Sequence, residues 1–354
     1  MTISVDRKEL LSALTAVMPA TSGSAKSTTA RGVRIVSDAD GCRIEADNGD
    51  LALSVPLDYP STRRTRATIV NARRLATVVR RGLPAGEVTI VLDPKRPSVA
   101  SGTTKVWLEA LGEEWPKRPP VVGDVLALTA DDVATIKRAA VAASDDWARP
   151  ILHSVCLADG HAVATDSYRL IAAAIKATPP RPLLLPVELV KVLPADGVTL
   201  TVGAEVVGWT GGRSRLVVGD YPHWQGLMPG PGPAPLVLGR KAFLSAVLRA
   251  EAVISAVDRY HATPITLKPV PGGISLGARN QGKDLFSDQV GRSDAGADPE
   301  PIACNARFLA AALASIDAPR IRLSLYTPLK PFLITADSDD ADTFRNLLMP
   351  VRIS

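Results

Sequence analysis

Residues 23–28, Gly-Ser-Ala-Lys-Ser-Thr, have the composition of a phosphate-binding loop. A P-loop requires glycine directly before its lysine and again five residues earlier, because the backbone must approach the phosphates closely. In this chain both positions are alanine, Ala20 and Ala25. The segment is therefore not predicted to hold a nucleotide phosphate.

The other reactive side chains do not form a catalytic or metal-binding pattern. The four histidines, at 153, 161, 223 and 261, match no triad or zinc spacing. Cys42, Cys156 and Cys304 are odd in number and more than a hundred residues apart, which is typical of isolated core thiols. We therefore predict no catalytic residue, no metal ligand and no cofactor.

Charge and hydropathy place the chain among globular proteins with a mild basic excess. The 41 Lys and Arg residues exceed the 36 Asp and Glu residues by five, which is compatible with a polyanionic partner or simply with a solvated surface. The N-terminus carries charges where a signal peptide needs an apolar core, and the apolar runs are too short to span a bilayer. The sequence therefore predicts a cytoplasmic protein with no membrane partner.

A strand that runs into an amphipathic helix occurs three times along the chain. The three copies lie at residues 5–14, 128–136 and 238–247, and each has polar residues at the helix start followed by apolar ones three or four apart. A second helix, followed by a strand, begins near Asn71, Pro186 and Asn305. Asparagine is a preferred N-cap and proline suits the start of a helix.

A hairpin between the two helices gives a third repeated marker. Its second strand ends in Ala-x-Asp or Ala-x-Asn at residues 46–48, 164–166 and 278–280. All three markers recur in one order with a period of roughly 115 residues, longer than the 20–50 residues of a solenoid repeat. The fold class is predicted as α+β, with three repeated domains at residues 1–117, 123–229 and 235–354, each with two helices packed on a mostly antiparallel sheet.

Several segments resemble the bacterial DNA sliding clamp, the beta subunit of DNA polymerase III. The resemblance is carried by Arg149-Pro150-Ile151-Leu152, by residues 163–170, by Gly219-Asp220-Tyr221-Pro222 and by residues 347–353, with Asn305, Phe308 and 329–331 in register between them. In that family two chains close head to tail into a ring of six similar domains with helices lining the hole. The resemblance therefore implies a non-enzymatic protein, half of such a ring, that encircles duplex DNA and tethers polymerases.

The resemblance also implies three sets of site residues. Sequence-independent binding to double-stranded DNA is assigned to basic residues on the inward helices and two loops: Lys26, Arg73, Arg74, Arg80, Lys137, Arg138, Arg149, Arg240 and Lys241, with Arg7, Lys8, Arg81 and Arg307 as further candidates. Homodimer closure is assigned to Val106, Leu108 and Ile254. Each residue also fits an ordinary solvated face or core position.

Short peptide motifs of DNA polymerase and clamp-loader subunits are expected to enter an apolar cleft. Its predicted residues are Leu152, Thr165, Ser167, Tyr168, Arg169, Leu170, Pro222, Leu227, Asn305, Phe308, Leu329, Pro331, Leu347, Met349, Pro350, Val351 and Arg352. The family usually has Gly-His where this chain has Ser167-Tyr168, so an altered peptide preference is expected. The alternative is a diverged paralogue that binds such peptides without a role in replication.

Overall fold

A computed structural model describes residues 1–22, 28–112, 114–230, 234–257, 263–271, 273–280, 282–291, 300–338 and 343–352. Lys26, one of the predicted DNA-binding residues, lies outside this part of the chain. Six α-helices are present in it: α1 (Arg7–Val17), α2 (Ala72–Thr77), α3 (Ala130–Ala139), α4 (Val187–Val192), α5 (Arg240–Val257) and α6 (Ala306–Ser315).

Local chemistry explains where the helices begin. The Asp6 carboxylate accepts the N–H groups of Lys8 and Glu9 at the start of α1, and Asn71 and Asn305 cap α2 and α6 in the same way. At α3, Thr129 and Asp132 form a reciprocal capping box. The predicted asparagine N-caps are confirmed.

Each third of the chain contains eight strands. The first third contains β1 (Thr2–Asp6), β2 (Gly32–Asp38), β3 (Gly41–Asp47), β4 (Leu51–Leu57), β5 (Arg66–Asn71), β6 (Glu87–Val91), β7 (Ser98–Ser101) and β8 (Thr104–Trp107). The second contains β9 (Asp124–Thr129), β10 (Ser154–Ala158), β11 (His161–Thr165), β12 (Arg169–Ala174), β13 (Leu183–Pro186), β14 (Gly197–Val202), β15 (Val206–Trp209) and β16 (Gly212–Arg215). The third contains β17 (Leu236–Gly239), β18 (Ile265–Val270), β19 (Gly273–Asn280), β20 (Lys283–Val290), β21 (Ile302–Cys304), β22 (Arg320–Ser324), β23 (Phe332–Ala336) and β24 (Phe344–Leu348).

Each third repeats one order of elements: a strand, a helix, four strands, a second helix and three strands. The strand pairs are antiparallel, and apolar residues alternate toward the interior, as Ile3 and Val5 do in β1. The longer helices bury one face, which in α1 consists of Leu10, Ala13, Leu14 and Val17. The predicted α+β class, with two helices and mostly antiparallel strands in each repeat, is confirmed.

The strands form two eight-stranded and two four-stranded sheets. The larger sheets have the orders β5-β2-β3-β4-β16-β15-β14-β9 and β13-β10-β11-β12-β24-β23-β22-β17. The smaller sheets have the orders β1-β6-β7-β8 and β20-β19-β18-β21. Pairing of β4 with β16 and of β12 with β24 therefore joins consecutive thirds of the chain into continuous sheets.

The same pattern leaves two strands without the neighbour that their equivalents have. In the described part of the chain, β8 and β20 are terminal strands of the four-stranded sheets, whereas β16 and β24, and β4 and β12, are paired. An exposed strand edge presents unpaired N–H and C=O groups and is a template for pairing with another chain.

Internal contacts divide the chain into two compact units. The first consists of Met1–Ala127, Lys191–Pro194 and Val198–Leu216, and the second of Leu128–Val190, Ala195–Gly197 and Val217–Ser354. The division follows the continuous sheets and cuts through the second repeat, so the three-domain bounds remain a prediction.

The described helices contain no stretch that is both long and apolar enough to cross a membrane. Across the described ranges, no group of three or more His, Cys, Asp or Glu side chains is arranged to hold a metal ion.

Candidate partner-binding cleft and cationic surface

A rigid turn between β11 and β12 carries the first group of predicted cleft residues. The Asp166 carboxylate accepts the backbone N–H groups of Tyr168 and Arg169, each at 2.9 Å, and the Arg169 Nε at 2.9 Å. The Thr165 hydroxyl donates to the Arg169 carbonyl at 2.7 Å. These bonds fix the direction in which the Tyr168 and Arg169 side chains leave the turn.

Backbone pairing places two apolar residues, which would be the floor of the predicted cleft, next to this turn. Leu170 of β12 lies opposite Leu347 of β24, and both side chains are buried in one cluster with Trp224. Tyr221 and Met228, from the segment that follows β16, pack against the same cluster. The predicted residues Leu170 and Leu347 thus lie together with Trp224, Tyr221 and Met228, which were not predicted as cleft residues.

The aromatic residues Tyr168 and Phe308 lie side by side, where they would form one wall of the predicted cleft. Tyr168 is 63% exposed and its ring stacks on that of Phe308, with 6.5 Å between centroids and 28° between planes. The Arg169 guanidinium lies 4.5 Å from the Phe308 ring centroid, within the range of a cation–π contact. Asn305 sets this geometry indirectly, because its side chain accepts the Phe308 N–H at the start of α6.

Two backbone hydrogen bonds hold the chain after β24 along the predicted cleft. The Met349 N–H donates to the Tyr168 carbonyl and the Val351 N–H to the Ala303 carbonyl, both at 2.8 Å. Met349 is 42% exposed. Leu329, Val351 and Arg352 line a cavity of about 490 Å³ with Ala303.

The other predicted cleft residues lie on connecting segments. Leu227 belongs to a short 3₁₀ turn, Gln225–Leu227, that directly follows the buried Trp224, and Pro222 follows Tyr221. Leu152 is half-buried in the loop before β10, where its carbonyl accepts the Ser144 N–H at 2.9 Å. The half-buried Pro331 precedes β23, and the half-buried Pro350 lies between Met349 and Val351.

One feature of the sequence could have indicated Trp224, Tyr221 and Met228. An aromatic-rich linker between two repeats, residues 219–229, must bury its rings somewhere, and the nearest apolar strands are those of the second repeat. In the structure burial raises the pKa of the Tyr221 hydroxyl, so this group stays neutral across the physiological range.

Ser167 has a backbone conformation that side chains rarely adopt, with φ at +81°. The equivalent turn in the first repeat has Gly49 there, with φ at +100°, and Asn48 accepts two backbone N–H groups just as Asp166 does. A non-glycine residue in this region costs about 1–3 kcal/mol. The hydrogen bonds around Asp166 hold Ser167 in this strained geometry.

The predicted DNA-binding residues differ in their exposure and in whether they form ion pairs within the protein. Arg73 and Arg80, at the second helix of the first repeat, and Lys241, in the first turn of α5, are exposed. Arg74 lies 3.7 Å from Glu109 in an exposed ion pair, and Arg149 lies 3.6 Å from Asp146 in another. Such exposed pairs are weak and exchange readily with other ions.

Arg138 and Arg240 are instead engaged by the protein itself. The Arg138 guanidinium stacks on the Phe344 ring at 4.7 Å and donates to the Thr135 hydroxyl at 3.1 Å. Arg240 donates to the Ala318 carbonyl at 2.7 Å, after the C-terminal end of α6. Lys137, next to Arg138, is half-buried.

The residues predicted for dimer closure lie in two different places, on or next to an edge strand and in the core of a repeat. Val106 is half-buried on the terminal strand β8, and Leu108 directly after it is buried. Ile254 is 2% exposed on the inner face of α5, so its side chain belongs to the core of its own repeat. Trp107, absent from the predicted set, is 54% exposed on β8.

Known proteins resemble this chain over its whole length. The family described as DNA polymerase III beta subunit, C-terminal domain, matches residues 226–352. A beta sliding clamp from Streptomyces coelicolor is 30% identical over 359 aligned positions, which cover 89% of this chain and 92% of the relative. A beta sliding clamp from Bacillus subtilis is 23% identical over 99% of this chain and 100% of the relative.

Solved structures give the same result for the fold. The crystal structure of the DNA polymerase sliding clamp from Bacillus subtilis superimposes with a TM-score of 0.83 at 22% identity, covering 100% of both chains. That of the DNA polymerase III beta subunit from Thermotoga maritima gives 0.84 at 17% identity, also over 100% of both chains.

Replacing Ser167 by glycine is expected to stabilise the protein, because glycine adopts the left-handed region without strain. The gain, after the added flexibility of the unfolded chain, is about 1 kcal/mol in the free energy of unfolding measured by urea denaturation. Ser167→Ala keeps the strain and serves as the control. An S167G protein no more stable than S167A would show that the turn is not strained.

Proposed function

This chain belongs to the bacterial beta sliding clamp family and is a non-enzymatic DNA sliding clamp, and we propose that it works as a homodimeric ring around duplex DNA. The observation that carries the ring is that β8 and β20 lie at sheet edges in the described part of the chain, whereas their equivalents in the other repeats are paired. Within the chain, the fourth strand of one repeat pairs with the last strand of the next. The same rule pairs β20 of one copy with β8 of another.

Two such pairings close the assembly after two copies. A head-to-tail interface either closes into a ring or continues into a filament, and the repeated junction within the chain supports closure. The pairing also indicates which residues form the interface. Val106 and Trp107 on β8 would lie in it, whereas the core position of Ile254 supports a role in holding α5 beneath the sheet.

Binding to duplex DNA would come from cations that the fold leaves available. Arg73 is exposed on α2, Arg80 on the π-helical turn that follows α2, and Lys241 in the first turn of α5. Attraction to phosphates without base contacts allows a protein to move along DNA, since every position offers the same charge. A clamp acts where chromosomal DNA is copied, so we propose the cytoplasm as its compartment.

The cleft between the Leu170–Leu347 floor and the Tyr168–Phe308 wall would receive short peptides of polymerase and clamp-loader subunits. Buried aliphatic floors accept Leu or Phe anchors, and the exposed Met349 adapts to different side chains. Tyr168 makes the wall aromatic, which supports a preference for peptides with a flat or aromatic residue at that point.

Ring formation is tested by Trp107→Arg, which places a charge on the exposed edge of β8. We expect the dimer dissociation constant to rise by about tenfold or more, measured by sedimentation equilibrium. The protein loaded on nicked circular DNA should then be lost during gel filtration, whereas wild type stays bound until the circle is cut. Trp147→Arg, at another exposed tryptophan, is the control. A W107R protein that dimerises normally would contradict the proposed edge pairing.

DNA contact is tested by the salt dependence of binding to a long duplex. Replacing Arg73 and Arg80 by glutamine should reduce the slope of log K against log salt by about 1.8, because each lost phosphate contact removes about 0.9. The control removes the same charge elsewhere, with Arg63→Gln and Lys117→Gln, which should leave the slope unchanged. Equal slopes in both double variants would exclude the proposed cationic surface.

Peptide docking is tested by Met349→Asp, since this side chain is exposed and its loss leaves the core intact. Binding of a fluorescent pentapeptide with Leu and Phe anchors should weaken by at least about tenfold in fluorescence anisotropy. Leu248→Asp, with similar exposure on α5, should bind normally. Undiminished binding by M349D would show that the peptide docks elsewhere. A protein that binds the peptide but is not retained on circular DNA would favour the alternative, a diverged paralogue without a role in replication.

A further inference from the structure

A cavity of about 650 Å³ lies on the first eight-stranded sheet, where β4 pairs with β16. Its apolar walls include Trp115, Trp209 and Val121, and its charged residues include Arg34, Arg118 and Arg213. The segment 115–121 that covers it connects the first and second repeats. No part of the proposed ring, DNA-binding or peptide-docking mechanism uses this cavity.

Internal repetition relates this cavity to the peptide cleft. The Arg215 N–H donates to the Asp50 carbonyl at 2.8 Å, just as the Met349 N–H donates to the Tyr168 carbonyl at 2.8 Å. The pair Ala52–Arg213 in β4 and β16 therefore occupies the position that Leu170–Leu347 occupies in β12 and β24.

The connecting segments correspond as well. Trp115-Pro116 precedes the second repeat as Tyr221-Pro222 precedes the third. Trp115 and Pro116 both line the cavity, and the Arg34 guanidinium lies 6.0 Å from the Trp115 ring centroid. The cavity is thus the first-junction counterpart of the cleft at the second junction.

The two sites differ in their chemistry. Arg213 stands where the cleft has Leu347, and Ala52 where it has Leu170, so the aliphatic floor is absent. Loss of this floor removes the aliphatic burial on which a Leu anchor depends.

Charge in the cavity is only partly balanced. Arg34 is paired with Glu45 at 2.9 Å, and Arg118 holds Asp47 through two bonds of 2.8 Å. The Arg213 guanidinium donates to a neutral acceptor, the Pro119 carbonyl, at 2.9 Å. Three guanidinium groups therefore face two carboxylates. The surplus charge can form a charge-assisted hydrogen bond with an incoming carboxylate.

We propose that this cavity is a second docking cleft, selective for an extended acidic peptide that places a carboxylate on Arg213 and an aromatic side chain between Trp115 and Trp209. The proposal rests on the proposed docking function through the internal equivalence of the two sites. Charge would separate their ligands, because apolar anchors favour the second junction and acidic segments the first.

The test uses the indole N–H signals of the full-length protein labelled with ¹⁵N, assigned by Trp→Phe variants. The acidic probe is the peptide acetyl-Glu-Asp-Phe-Asp-Glu-amide, and the neutral probe is its Gln-Asn-Phe-Asn-Gln counterpart. The acidic probe should shift the Trp115 and Trp209 signals and leave Trp224, in the other cleft, unchanged. The neutral probe should bind about tenfold more weakly, the factor expected for one lost charge-assisted bond.

Two variants sharpen the result. Arg213→Gln should weaken the acidic peptide by about tenfold, and Lys117→Gln, an equal charge change on the exposed side of the same segment, should not. Equal binding of both probes, or equal binding by R213Q and wild type, would overturn the proposal. So would a stronger response of Trp115 and Trp209 to a thymidine oligonucleotide, which would indicate a nucleic-acid site. The Leu–Phe pentapeptide reports separately through Trp224, so failure of the proposed docking function can be recognised independently.

Discussion

Backbone hydrogen bonding across the junctions between repeats is the constraint on which the rest of the structure depends. Strands inside a sheet satisfy their N–H and C=O groups by pairing with both neighbours, and at the junctions β4 pairs with β16 and β12 with β24. These pairings are heterologous, because the fourth strand of one repeat meets the last strand of the next. In the described residues, β8 and β20 are consequently left at the edges of their sheets.

The proposed docking sites lie at the same junctions. Pairing of β12 with β24 brings Leu170 and Leu347 together, and the linker before the third repeat supplies Trp224 to the same cluster. At the other junction the corresponding positions hold Ala52 and Arg213. One architecture would therefore offer two proposed clefts with different chemistry.

Electrostatics in this fold divides the cations into two groups. Arg240 and Arg138 use their guanidinium groups on carbonyls, hydroxyls or rings of the protein, which helps to hold helix ends and junctions together. Arg73 and Arg80 are exposed at the second helix of the first repeat. A net charge of +5 says little about binding until these two groups are separated.

The sequence by itself determined the repeat, the helix starts and the class of fold. These features depend on local chemistry, such as the capping of α2 and α6 by Asn71 and Asn305, and on periodic apolar positions. The family likeness also indicated Leu170, Leu347 and Phe308, which the structure brings near one turn and its sheet.

Only the tertiary structure decided which residues with suitable chemistry are available for binding. The burial of Ile254, the engagement of Arg240 and the inclusion of Trp224 all depend on contacts between residues distant in sequence, and no local pattern encodes them. The free edges of β8 and β20 have the same origin, because a strand is an edge only with respect to the other strands of its sheet.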